Sequence, residues 1–156
     1  MPAVVENLAI EQGATFTMGF TWHEDALDED GNVVPGEPRD LDGCTARMQI
    51  RKKQGLPSLL TATSKTDDGP GAGRIILESP EIDEEGVAGP PRKGHVYVEL
   101  TDEDTDLLTS ATALYDLEIE WPIQPGQIRP RVDRLLQGSV AVSPNITQET
   151  EDPVVK

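Results

Sequence analysis

The chain has 156 residues, which predicts a single domain with room for long loops. Hydrophobic residues make up 36% and aromatic residues 4%, so only a modest core built from regularly alternating strands is expected. The net charge of −16 argues against nucleic acid and anionic membranes as partners, and it suits basic proteins or metal cations. A solvated acidic surface is the simplest interpretation of this charge.

Alternating apolar and polar residues predict the first strands. Between Thr15 and His23 the large side chains share one face, which consists of Phe16, Met18, Phe20 and Trp22. Residues 24–40 predict a long acidic loop carrying a small hairpin at Gly31 and Asn32. The next strand, in residues 41–51, directs Ala46, Met48 and Ile50 inward and Arg47, Gln49 and Arg51 outward.

Further strands are predicted at residues 58–64, 74–78 and 94–100, with a second acidic loop at residues 79–93. The one convincing helix lies near residues 102–110. Thr101 is placed to cap it, and carboxylates fill the first turn, where the helix dipole favours them.

The clearest signal is an antiparallel hairpin in residues 113–142. Its first strand directs Tyr115, Leu117, Ile119 and Trp121 to one face and Asp116, Glu118 and Glu120 to the other. Residues 122–127 form the turn. The second strand is predicted to bury Val132, Leu136, Val140 and Val142.

Roughly seven or eight short strands separated by turn signals predict an all-β fold. We expect an antiparallel β-sandwich, immunoglobulin-like or jelly-roll-like, with the one short helix at its end. The predicted domain spans residues 1–144, and residues 145–156 form a C-terminal tail.

The single cysteine, Cys44, excludes an intrachain disulfide and a metal cluster made of cysteines. Its position at the start of an apolar strand predicts a buried, inert thiol. The N-terminus lacks the basic and apolar regions of a secretion signal, and no apolar run approaches the length of a membrane span. Synthesis in a cytoplasm is therefore expected.

A weak calcium-loop pattern occurs in the first acidic loop. Asp28 and Asp30 would take the third and fifth positions and Glu37 the twelfth, but Ala26 at the first position has no side-chain oxygen. A hairpin tip is the favoured alternative. We therefore predict no metal and no cofactor.

Other chemistry-bearing residues do not form a catalytic pattern. The cluster Asp102, Glu103, Asp104 and Asp106 is interpreted as a helix N-terminus. His23 and His95 fall on outward strand faces without partners at metal spacing. There is no nucleophile elbow and no phosphate-binding glycine loop, so the chain is predicted not to be an enzyme.

Arginines are better candidates for an interface, since the chain is otherwise short of positive charge. The candidates are Arg47 and Arg51 on one strand and Arg129, Arg131 and Arg134 on and before the last strand. The alternative is that these arginines pair with the abundant acids of the same chain.

Three segments together resemble small virion proteins of tailed bacteriophages. They are Asp40-Leu-Asp-Gly-Cys-Thr-Ala-Arg-Met-Gln-Ile-Arg51, Leu114-Tyr-Asp-Leu-Glu-Ile119 and Arg134-Leu-Leu-Gln-Gly-Ser-Val-Ala-Val-Ser-Pro144. The opening Ile10-Glu-Gln-Gly-Ala-Thr-Phe16 fits the same pattern. From about residue 5 to residue 147 the chain looks like the N-terminal β-sandwich of phage baseplate and receptor-binding-adaptor proteins, although its two acidic loops are longer.

The resemblance implies a non-enzymatic structural protein of the phage particle, made in the host cytoplasm and multimeric in the assembled virion. It would dock onto other phage proteins of the tail, baseplate or neck, with no nucleic acid and no membrane as partners. One alternative is a capsid decoration protein on the phage head. An alternative of another class is a small cation-binding protein or hydrolase.

Overall fold

The computed structural model describes residues 3–65 and 73–146, which form eleven strands and one helix. The elements in chain order are β1 Val4–Val5, β2 Leu8–Glu11, β3 Phe16–Thr21, β4 His23–Leu27, β5 Val33–Pro38, β6 Thr45–Arg51, β7 Ser58–Thr63, β8 Gly73–Leu77, β9 His95–Leu100, α1 Asp102–Asp106, β10 Thr112–Glu120 and β11 Val132–Ser143. The all-β class with one short helix is confirmed.

Nine of the described strands form one continuous sheet in the order β1-β11-β10-β6-β7-β8-β9-β3, with β2 also paired to β11. Most neighbours are antiparallel, as predicted. Three pairings are parallel, namely β1 with β11, β2 with β11, and β7 with β8. The remaining strands, β4 and β5, form a separate hairpin.

Two tryptophans show that the large sheet curls back on itself. Trp22 follows β3 at one end of the strand order, and Trp121 follows β10 near the other end. Their ring centroids are nevertheless only 5.7 Å apart, and the rings are tilted by 45°. An aromatic pair in this arrangement adds stabilisation beyond its buried area, and here it joins distant parts of the sheet.

One apolar core lies inside the curl. Trp121, which was predicted to face inward and follows β10, is half-buried, whereas the predicted inward residues of β6 and β10 themselves are buried, which confirms the period-2 interpretation. Those of β3 are only half-buried. The apolar side chains with 0% of their surface exposed belong to β9 and β10 and are Val96, Val98, Leu100, Leu117 and Ile119.

The prediction for Val132 is wrong, because a β-bulge reverses the faces of β11. Leu117 lies opposite Leu136, whereas the next residue, Glu118, lies opposite Arg134, so Leu135 is the extra residue. A bulge of one residue shifts side-chain alternation by one. Val132 is therefore 51% exposed, while Leu135 and Leu136 are both buried.

Both acidic loops contain more structure than predicted. Strands β4 and β5 occupy most of residues 24–40, and the predicted turn at Gly31 and Asn32 lies between them. In the second loop, an isolated bridge joins Ile82 to Ala88.

The helix predicted near residues 102–110 is confirmed but shorter, ending at Asp106. Thr101 is its N-cap, as predicted. The tail predicted for residues 145–156 lies outside the described residues from residue 147 onward. The helix in the described ranges is too short to cross a membrane.

Candidate functional site

The outer face of β6, β10 and β11 carries a row of alternating charges. Glu118 lies opposite Arg47 of β6 on one side and Arg134 of β11 on the other. Arg47 Nη2 is 3.3 Å from Glu118 Oε2, and Arg134 Nη2 is 3.8 Å from Glu118 Oε1. The guanidinium groups are more exposed than the acid, with 59% and 49% of the arginine side chains accessible against 23% of Glu118. We call Arg47, Asp116, Glu118 and Arg134 the charged row.

The bulge in β11 places Arg134 opposite Glu118 and so forms the charged row. Without the extra residue, the apolar Leu135 rather than Arg134 would lie opposite Glu118. Bulges often redirect side chains at functional sites. Here the bulge buries Leu135 and at the same time brings Arg134 beside the acids of β10.

Asp116 is the fourth member of the charged row and is ion-paired with Arg134. Its Oδ2 lies 3.5 Å from Arg134 Nε. Burial, and then repulsion from Glu118, raises the pKa of Asp116 despite the opposing charges of Arg134, Arg47 and Arg51.

Two shallow depressions flank the charged row. One, of about 210 Å³, lies towards Thr63, Lys65 and Glu120. The other, of about 300 Å³, lies towards Arg51, Leu114 and Gln137. Leu114 is 46% exposed and gives the second depression an apolar wall. The face can therefore receive both charged and apolar side chains of a neighbouring molecule.

The structure brings two of the five predicted interface arginines, Arg47 and Arg134, into the charged row, and it places a third beside it. Arg51 donates to the carbonyl oxygen of Leu56 and, at 2.8 Å, to Gln49 Oε1. Arg129 is exposed in the loop between β10 and β11. Intrachain pairing with acids, the predicted alternative, thus applies to Arg47, Arg131 and Arg134, while the interface role of all five stays a prediction.

Arg131 belongs to the tryptophan pair instead. It lies 2.9 Å from Asp133 Oδ2, which also accepts a 2.8 Å hydrogen bond from Trp121 Nε1. Its guanidinium is 5.6 Å from the Trp121 ring centroid, and that of Arg39 is 4.5 Å from the Trp22 centroid. These cation–π contacts stabilise the tryptophan pair that joins distant parts of the curled sheet. Sequence reasoning missed this arrangement, because nothing in either aromatic strand indicates that their ends meet.

The calcium-loop residues are organised as a hairpin tip. Asp28 Oδ1 accepts hydrogen bonds of 2.9 Å from the backbone of Asp30 and of Asn32. The bond from the Asn32 backbone is the main cause of the lowered pKa of Asp28. Glu37 lies on β5. Within residues 3–65 and 73–146, no three or more His, Cys, Asp or Glu side chains are grouped to hold a metal ion.

The second acidic cluster is a capping structure. Asp104, only 2% exposed, accepts a 2.7 Å hydrogen bond from the backbone N–H of Thr101. Thr101 Oγ1 in turn accepts from the Asp104 backbone at 3.2 Å. This reciprocal pair satisfies donors at the start of α1.

Sequence reasoning also missed a contact between Ser79 and His95, whose Oγ and Nδ1 atoms are 2.5 Å apart. Ser79 is only 6% exposed, and Arg92 Nε donates to its carbonyl oxygen. Burial, followed by the charge of Arg92, lowers the pKa of His95. The pair connects the second acidic loop to β9. The other histidine, His23, contacts the carbonyl oxygen of Gly36 through Nδ1 at 2.9 Å.

Cys44 is partly buried, and burial, followed by the charges of Asp40, Glu78 and Asp42, raises the pKa of its thiol to about 11. We expect its reaction with a thiol reagent at pH 8 to be about a hundredfold slower than that of a free cysteine, because the thiolate is the reactive form. Colorimetric titration of the folded and the urea-unfolded protein measures this difference. Equal rates in both states would contradict it.

No protein-family model matches the chain, and a search of curated proteins finds no significant match.

Proposed function

We propose that this protein is a non-enzymatic structural component of a tailed phage particle, and that it docks onto tail, baseplate or neck proteins through the outer face of β6, β10 and β11. One observation supports this most directly. The first of the three segments that carry the resemblance to phage virion proteins is distant in the sequence from the other two, yet the three form β6, β10 and β11, which are adjacent in the sheet.

The same face has the physical character of a docking surface. Its charged side chains stand on three paired strands and are held by mutual contacts, so little conformational freedom is lost when a partner binds. The exposed guanidinium groups of Arg47 and Arg134 are suited to carboxylates of a neighbour. The depressions on both sides are open and shallow rather than enclosed, which suits a protein surface better than a small substrate.

The location is tested on purified particles of the phage that encodes the chain. A gold-labelled antibody against this protein should mark the tail, baseplate or neck. Label over the head shell would overturn the tail assignment in favour of capsid decoration. Absence of the protein from purified particles would overturn the proposal altogether.

The docking face is tested by reversing the charge at the centre of the row. We expect Glu118→Lys to reduce the amount of this protein in purified particles by at least about tenfold, because it places a third cation between Arg47 and Arg134 and disrupts the complementary pattern. Quantitative mass spectrometry of the particles measures this.

The matched control is Glu29→Lys, which makes the same charge change at an exposed residue of the β4–β5 hairpin. It should be incorporated like the wild type. Circular dichroism must show that both variants are folded. Equal incorporation of the two folded variants would show that the charged row is not the docking site.

A further inference from the structure

The outer edge of β3 is unpaired in the part of the chain that the structure describes. Among the described strands only β9 pairs with β3, leaving β3 at one end of the sheet. The backbone N–H of Trp22 donates to Gly94 O at 2.8 Å, on the β9 side. Backbone groups alternate in direction along an antiparallel strand, so those of Thr17, Gly19 and Thr21 are directed away from the sheet.

Nothing in the sequence of β3 protects this edge. Natural edge strands are usually blocked by charged residues, proline or bulges. Residues 15–22 contain no charged side chain and no proline, although 27% of the chain is charged, and the pairing with β9 has no bulge. The β4–β5 hairpin, by contrast, carries Glu24, Asp25, Pro35 and Glu37.

The inner face of β3 is also incompletely covered. Phe16, Met18 and Phe20 are only half-buried, whereas Val98 and Leu100 opposite them on β9 have no exposed surface. A further strand placed along the edge would pair the free backbone groups and cover these apolar side chains together.

The residue pattern of β3 identifies the strand that fits. The segment Thr15-Phe-Thr-Met-Gly-Phe-Thr21 reads nearly the same in both directions about Met18. We propose that the outer edge of β3 pairs antiparallel with β3 of a second copy of this chain, giving a dimer with its twofold axis at Met18. In a twofold interface each residue type must suit its symmetry mate, and a nearly palindromic strand meets this condition.

In this register Phe16 lies opposite Phe20 of the partner subunit, and Thr17 lies opposite Gly19 of the partner subunit. The backbone N–H and C=O groups of Thr17 and Gly19 point away from β9. The pairs of Thr17 with Gly19 of the partner subunit would therefore form the backbone hydrogen bonds between the two copies. Aromatic pairs across strands are among the more stabilising. The paired residues of the two β3 strands carry no charge, even though each copy of the chain carries a net charge of −16. This inference is independent of the phage proposal.

The oligomeric state of the full chain is measured by sedimentation velocity over a range of concentrations in about 0.15 M salt, which screens the repulsion between copies. The wild type should sediment with twice the mass of one chain at high concentration. Thr17→Pro should sediment as one chain, because it removes an outward N–H that the monomer does not use, and proline is tolerated at such edge positions. Thr17→Val keeps that N–H and should remain dimeric.

A second measurement, disulfide crosslinking, tests the register of the β3–β3 pairing. It also tests the dimer itself if Thr17→Pro fails to fold. In a Cys44→Ala background, Met18→Cys should form a disulfide-linked dimer on mild oxidation, because opposite residues of a non-hydrogen-bonded pair lie close together. Thr15→Cys should not, since it lies opposite Thr21 of the partner subunit. A monomeric wild type, or crosslinking that does not distinguish these positions, would overturn the proposal.

Discussion

Replacing Leu117 with alanine is expected to lower the free energy of unfolding by about 2–5 kcal/mol. Leu117 has no exposed surface and lies at the centre of β10, opposite Met48 on one side and Leu136 on the other. Truncation would remove apolar contacts and leave a cavity between three strands that are held in register. Urea denaturation followed by circular dichroism measures the loss.

The matched control is Leu114→Ala on the same strand. Leu114 lies on the outer face and is 46% exposed, so its truncation should cost less than about 1 kcal/mol. Similar losses in the two variants would contradict the location of the core inside the curl of the sheet.

The contrast between Leu117 and Leu114 was predictable from the sequence, because strand alternation is local. The pattern of β10 alone assigns Leu117 to the buried face and Glu118 to the outer face, and the structure confirms both. The helix cap at Thr101 was equally predictable, since capping involves residues only three positions apart.

The charged row was not predictable to the same extent, because it depends on how distant strands align. The sequence supplies Arg47, Glu118 and Arg134 on separate strands, and only the pairing of β6 and β11 with β10 places them side by side. The bulge at Leu135 decides which residue of β11 lies opposite Glu118. An alternating pattern cannot reveal an inserted residue, and the error for Val132 has the same origin.

Gly138 illustrates how such a nonlocal contact restricts a residue in the last strand. The chain between β1 and β2 runs alongside β11 there, with the N–H of Glu6 donating to Gln137 O at 3.0 Å and Tyr115 Oη donating to Glu6 O at 2.6 Å. A Cβ atom at Gly138 would overlap the carbonyl oxygen of Glu6 and lie 2.9 Å from its carbonyl carbon. Glycine is therefore required because another backbone approaches closely.

Substitution of Gly138 by valine is accordingly expected to lower the free energy of unfolding by about 1–3 kcal/mol or more, since the clash is with backbone rather than with a flexible side chain. The strain should be relieved by release of the N-terminal strands from β11, so amide hydrogen exchange in residues 4–11 should increase more than exchange in β10. The control Ala141→Val adds a branched side chain at an exposed position of the same strand and should leave exchange in residues 4–11 unchanged. Undiminished protection of these residues in Gly138→Val would mean that the link between β1 and β2 does not lie against Gly138.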